Sequence, residues 1–164
     1  MVRSIGIVMI VVVALFYFAQ ASPQDKKAVR VVDPSQDVRS FARVAPAAPV
    51  PGSLPATWRP TVTERLAGPD RLRVGYLTPS GEYAEYDAVR GPPGGFVDDV
   101  TGRAPPGRRV IVGGRSFEQR RGPDGPLSLV LVQGGATVVL GSLRSSASPE
   151  ELAVLAASLA PGTA

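Results

Sequence analysis

The stretch LRVGYLTPSGEYAEYDAV, residues Leu72 to Val89, decides how the soluble part of the chain folds. Leu72, Val74 and Tyr76 alternate at strand spacing, and the second half repeats aromatic and small residues with the same period. Between the halves, Pro79 presets a turn backbone and Gly81 can take the positive φ that closes it. The stretch therefore predicts an antiparallel hairpin, and the other elements are read outward from it.

Composition bounds what can surround that hairpin. The chain has 164 residues, and the hydrophobic segment at its start leaves roughly 130 for folding, which suits one domain. The hydrophobic fraction of 44% is enough to build a core, while Gly 18 and Pro 17 point to many turns and an irregular connector. Cys 0 and His 0 exclude disulfides, thiolate nucleophiles, imidazole bases, His or Cys zinc sites and cysteine lipidation. The net charge of +4 comes almost wholly from arginine, since Lys26 and Lys27 are the only lysines. Such a surface suits anionic partners, namely an envelope protein, an anionic lipid or a wall polymer. An arginine-rich, lysine-poor composition is also what a high-GC genome produces without any such partner.

Upstream of the hairpin, residues 5–19 (IGIVMIVVVALFYFA) carry no charge and follow Arg3. They read as a membrane anchor over residues 1–22, with the amino terminus cytoplasmic and everything after it outside. Ala19-Gln20-Ala21 offers the alternative of cleavage after Ala21 and release of a secreted domain. Residues 23–28 form a polar tether, and an extracytoplasmic α+β domain is expected over 29–160. Within it, Val29 to Val32 can add an edge strand, and Asp33-Pro34 starts a helix running to Arg43. Ala45 to Pro55 holds too much proline for helix or central strand and reads as extended coil. Trp58 to Leu66 is the next strand, and Gly68-Pro69-Asp70 turns the chain into the hairpin.

Downstream, Phe96 to Thr101 forms one or two helical turns, with Phe96, Val97 and Val100 toward the sheet. A meander follows: Arg108–Val112, Arg115–Arg121, Pro126–Val132 and Ala136–Gly141, separated by glycine-rich turns. Leu127, Leu129 and Leu131 occupy one face of their strand and Val130 and Val132 the other, so both faces should be covered. Ser148-Pro149-Glu150-Glu151 is a capping box, and Leu152, Leu155, Ala156 and Leu159 form the apolar stripe of a last helix stopped by Pro161-Gly162. The expected fold is α+β: a transmembrane helix, then an antiparallel sheet of six or seven strands packed on the carboxy-terminal helix.

Three groups of residues are candidates for function. Trp58, Tyr76 and Leu129 could line an apolar pocket between sheet and helix, the basis for a carrier of a lipid-like ligand. Arg108, Arg109, Arg115, Arg120 and Arg121 fall on neighbouring strands and form a candidate anionic contact surface; the bland alternative is a set of solvated edge charges. Glu82, Glu85 and Asp87 are the acids from which a carboxylate hydrolase would be built, with Glu85 and Asp87 on one strand face. Acids at every second position of a strand usually form a solvated face, so the expectation is no enzyme. Asp98-Asp99 lacks the ligand series of a calcium loop, and no metal or cofactor is expected. Nucleic acid is not an expected partner either, for want of any reader motif.

With these residues in view, the chain resembles the DUF4245 family of actinobacterial proteins. The resemblance rests on the amino-terminal anchor, Leu54-Pro55-Ala56-Thr57-Trp58-Arg59-Pro60, Val74-Gly75-Tyr76-Leu77-Thr78-Pro79, Gly114-Arg115-Ser116-Phe117, the Gly135 to Gly141 strand and Pro149-Glu150-Glu151-Leu152. It implies a single-pass membrane protein with an outward domain and no assigned active site. Together these readings predict a binding or scaffold domain at the cell envelope.

Overall fold

The structure is a computed structural model and describes residues 30–66, 70–122 and 125–162. The expected anchor, its cleavage site and the tether lie outside the described residues, as does most of the Gly68-Pro69-Asp70 turn. Among the described residues, no helix is long and apolar enough to cross a membrane.

The predicted hairpin is present, and the described domain is arranged on both sides of it. Helix α1 (Ser35–Val44) leads to the short strand β1 (Pro49–Pro51), then to β2 (Arg59–Arg65) and the hairpin strands β3 (Arg71–Leu77) and β4 (Tyr83–Arg90). Helix α2 (Gly94–Thr101) connects to the meander β5 (Pro106–Val112), β6 (Arg115–Arg121), β7 (Leu127–Gln133) and β8 (Ala136–Leu140). Helix α3 (Pro149–Ala157) and strand β9 (Leu159–Pro161) close the chain. Seven strands form one antiparallel sheet in the order β2-β3-β4-β8-β7-β6-β5, so the last strand of the meander, β8, returns to pair with the hairpin.

Each turn has the chemistry its geometry demands. Gly81 closes the β3–β4 turn at φ 88, and its N–H donates to the Thr78 carbonyl at 3.0 Å. The register that follows sets Arg73 opposite Asp87 and Gly75 opposite Glu85. The capping box of α3 forms as predicted: the Glu151 N–H donates to Ser148 Oγ at 3.2 Å, and the Ser148 N–H donates to Glu151 Oε2 at 3.0 Å. Glu151 also accepts from Ser80 Oγ at 2.6 Å, which ties the hairpin turn to the helix start. At α1 the helix begins one residue later than predicted, and Asp33 Oδ1 accepts from the Ser35 N–H at 2.9 Å.

The two sheet faces differ. One buries Leu72, Val74, Tyr76, Tyr86, Phe117, Leu129, Val138 and Leu140 beneath Phe41 of α1 and Leu152 and Leu155 of α3. The other has a small apolar contact in which Val97 and Val100 of α2 meet Val130 and Val139. The expectation that both faces of β7 are covered holds only as far as Val130, because Val132 is 58% exposed.

Three local expectations need correction. Residues 30–32 are not a strand; Val32 only donates its N–H to the Pro60 carbonyl, at 2.9 Å. The proline-rich coil contains β1, which pairs with β9 to form a separate two-stranded ladder. The final helix stops at Ala157, so Leu159 anchors β9 rather than ending a helical stripe. A ladder this short accommodates Pro49, Pro51 and Pro161 because flanking donors close it: Gly52 N–H to the Ser158 carbonyl and Gly162 N–H to the Ala48 carbonyl, each at 3.0 Å. The hydroxyl of buried Tyr86 donates to the Pro49 carbonyl at 2.9 Å and so seats β1 on the core.

Candidate functional site

The residues singled out above fall in three places. The first is an aromatic cleft beside α1. A turn closed by the Trp58 N–H to the Pro55 carbonyl at 2.9 Å delivers Trp58 to the start of β2, and Tyr76 comes from the neighbouring β3. Their rings meet edge to face, with centroids 6.2 Å apart and planes at 69°. Both are largely buried, and their remaining surface lines a cleft of about 450 Å³ with Val38, Leu54, Pro60 and Pro161. Burial also raises the Tyr76 phenol well above its ordinary pKa, so the hydroxyl stays neutral. Leu129 does not join them. It lies in the sheet core, and with Leu140, Leu152 and Leu155 it is at most 2% exposed, so the packing between sheet and α3 is filled.

The second place is a groove of about 480 Å³ between α2 and the β5–β7 side of the sheet. Strand alternation divides the five candidate arginines. Arg109 and Arg120 share the α2 face with Glu118, whereas Arg115 and Arg121 alternate with them on the face that Phe117 marks as the core side. Arg108 sits at a β-bulge and donates from Nε to Gln119 Oε1 at 2.9 Å. Arg120 is held by Glu118 at 2.8 Å and Asp98 at 3.4 Å, while Arg109 makes no ion pair among the described residues. Alternation thus splits the predicted cluster, although Arg115 at the strand start also lines the groove, and neither Arg109 nor Arg115 makes an ion pair among the described residues.

The third place overturns an expectation. Glu85 and Asp87 do share a strand face, but they are 1% and 0% exposed rather than solvated. α2 and residues 141–144 cover them, and Arg73 reaches across from β3: its Nε is 2.9 Å from Glu85 Oε1 and 3.3 Å from Asp87 Oδ1. Ser142 Oγ donates to Glu85 Oε2, and Arg71, stacked on the Phe96 ring at 4.9 Å, reaches Asp87 Oδ1 at 3.5 Å. Burial, and next the charge of Glu85, push the Asp87 carboxyl up to about 6 against the pull of Arg73 and Arg71. For Arg73, burial opposes its charge, but Asp87 and Glu85 outweigh it and raise the guanidinium above its ordinary value. Glu82, the remaining acid, is exposed in the turn.

Chemically, this cluster is a buried charged network in which Asp87 Oδ2 and Arg71 Nε have no hydrogen-bond partner among the described residues. Only Glu85 of the pair reaches the adjoining cavity, whose volume of about 140 Å³ falls below the roughly 300–1,000 Å³ of ligand clefts. The partners Arg71, Arg73 and Ser142 were not singled out from the sequence. One signal was legible: Arg71 and Arg73 alternate on one hairpin strand as Glu85 and Asp87 do on the other, and a turn at residues 78–81 sets Arg73 opposite Asp87 with all four on one face. Among the described residues, no group of three or more acids could hold a metal ion.

Comparison with curated proteins and with solved structures finds no match. A family model described as "Protein of unknown function (DUF4245)" matches residues 1–159, which takes in the seven-stranded sheet and all three places just described except the Ala160–Pro161 wall of the cleft. The chain therefore belongs to the DUF4245 family.

Proposed function

We propose that this domain is a non-catalytic binding module of the cell envelope, held outside the membrane by residues 1–22, and that the Trp58–Tyr76 cleft is its ligand site. The observation that carries this reading is the cleft itself: an aromatic edge-to-face pair flanked by Pro34, Pro51, Pro60 and Pro161, with a volume of about 450 Å³. Aromatic grooves of this kind take extended, proline-bearing segments, whose backbone is already ordered before binding. The preferred ligand is therefore such a segment of an envelope protein. A carrier with its ligand between sheet and helix has less support, since Leu129 and Leu155 fill that layer. A carboxylate hydrolase has less support as well, since Asp87 does not line the cavity beside Glu85.

Trp58 is the only tryptophan, so it reports on the cleft directly. Titrating the full chain with a proline-rich decapeptide should shift Trp58 emission saturably. Leu54→Arg, which places a charge in the cleft wall, should weaken that response at least about tenfold, or roughly 1.4 kcal/mol. A response that is absent, or identical in the variant, would remove the cleft as the site.

A further inference from the structure

The sheet ends on one side at β5, which has β6 as its only strand partner among the described residues. Gly113 and Gly114 connect these strands in a two-residue turn, both at positive φ, 55 and 74. Such a turn makes its flanking pair, Val112 and Arg115, exchange both backbone hydrogen bonds. The alternation then runs outward along the strand. Val110 bonds to Phe117, whereas the N–H and C=O groups of Ile111 and Arg109 point away from β6, toward the free edge. No backbone hydrogen bond from another described segment reaches them.

The two sheet edges are protected unequally. β2 carries Pro60 and a bulge, and Val32 caps it by donating to the Pro60 carbonyl. β5 has its proline and its bulge only at the beginning, between Pro106 and Arg109, so Arg109 to Val112 is regular, and among the described residues no further strand pairs with its outer side. On the groove side, Ile111 is 79% exposed and Val132 58% exposed, beside the unengaged Arg109.

We infer that β5 is a strand-addition site for an extended segment of a partner protein, bound antiparallel, with an apolar residue opposite Ile111 and an acidic residue two positions later opposite Arg109. The hydrogen-bond parity sets the register, and the side chains on the groove face set the sequence apolar–x–acidic. A second copy of this chain fits less well. β5 (PGRRVIV) contains no acidic residue, so antiparallel β5–β5 pairing would leave Arg109 of each copy without a complementary charge. This surface is separate from the aromatic cleft.

The probe is an octapeptide repeating Thr-Ile-Thr-Glu, bound to the full chain and followed by fluorescence anisotropy. Ile111→Pro deletes the outward donor without deleting a β5–β6 bond, because proline is tolerated where an edge N–H faces solvent. The expected result is saturable binding, weakened at least about tenfold in Ile111→Pro, with the thermal midpoint moved by less than about 3 °C. N-methylating the Ile and Glu residues of the peptide should have the same effect, and N-methylating its Thr residues should not. Charge reversal in Arg109→Glu should weaken the acidic peptide and favour one with Lys in place of Glu. No saturable binding overturns the proposal. So does binding indifferent to Ile111→Pro and to N-methylation, which would mean anion capture without strand addition. A dimer of the full chain that Ile111→Pro dissolves would assign the edge to a second copy instead.

Discussion

Asp87 is where residue chemistry and fold are most tightly coupled. Its carboxyl titrates near 6 in the folded chain, above the value of 3.8 for an unperturbed aspartate. Between these values the folded state keeps a proton that the unfolded chain has released, so stability from this group is full below about pH 4 and declines as pH rises through about 6. The decline is at most about 3 kcal/mol. Asp87→Asn removes this titration. Relative to the variant, the parent chain should therefore lose stability between pH 4 and pH 7, as read by urea unfolding at each pH; a difference that stays constant with pH would refute the assignment. The pairing of Asp87 with Arg73 follows from the hairpin turn and was legible in the sequence. Its burial was not, because α2 and residues 141–144 supply the cover from distant positions.

At the scale of elements, the loop before β1 leans on the β7–β8 turn. Gly134 and Gly135 both have positive φ, 63 and 72, yet their surroundings differ. A Cβ on Gly134 would lie 1.8 Å from the Ala47 carbonyl oxygen, whereas one on Gly135 would meet nothing within 4 Å. Gly135→Ala should thus cost only the left-handed backbone penalty, about 1–2 kcal/mol. Gly134→Ala should cost at least about 2 kcal/mol more, since backbone must move. Equal losses in denaturant unfolding would mean that the loop is not seated on the turn. The turns were readable because glycine at positive φ is a local property. The β1–β9 ladder was not, since its two strands of three residues are joined across more than a hundred positions and contain three prolines.

For the molecule as a whole, β9 connects the core to the aromatic cleft. Leu159 is buried in the main core, while Ala160 and Pro161 form part of the cleft wall. Ending the chain at Ser158 should therefore destabilise the domain by about 2–5 kcal/mol, the range for losing a buried leucine. It should also red-shift Trp58 emission and abolish the response to the proline-rich decapeptide. Unchanged emission would separate the ladder from the cleft. Local periodicity and turn chemistry were enough to establish an α+β domain, the paired strands of the hairpin, the meander and the capped last helix, because each depends on residues a few positions apart, and composition alone excluded thiol and imidazole chemistry. Tertiary structure alone decided the strand order around β8, the split of the arginines between two faces and the exclusion of Leu129 from the cleft. It also decided the burial of Glu85 and Asp87 and the exposure of the β5 edge. Each of these depends on which distant segment covers a face, and a strand carries the same alternation whether its second face meets water or a helix.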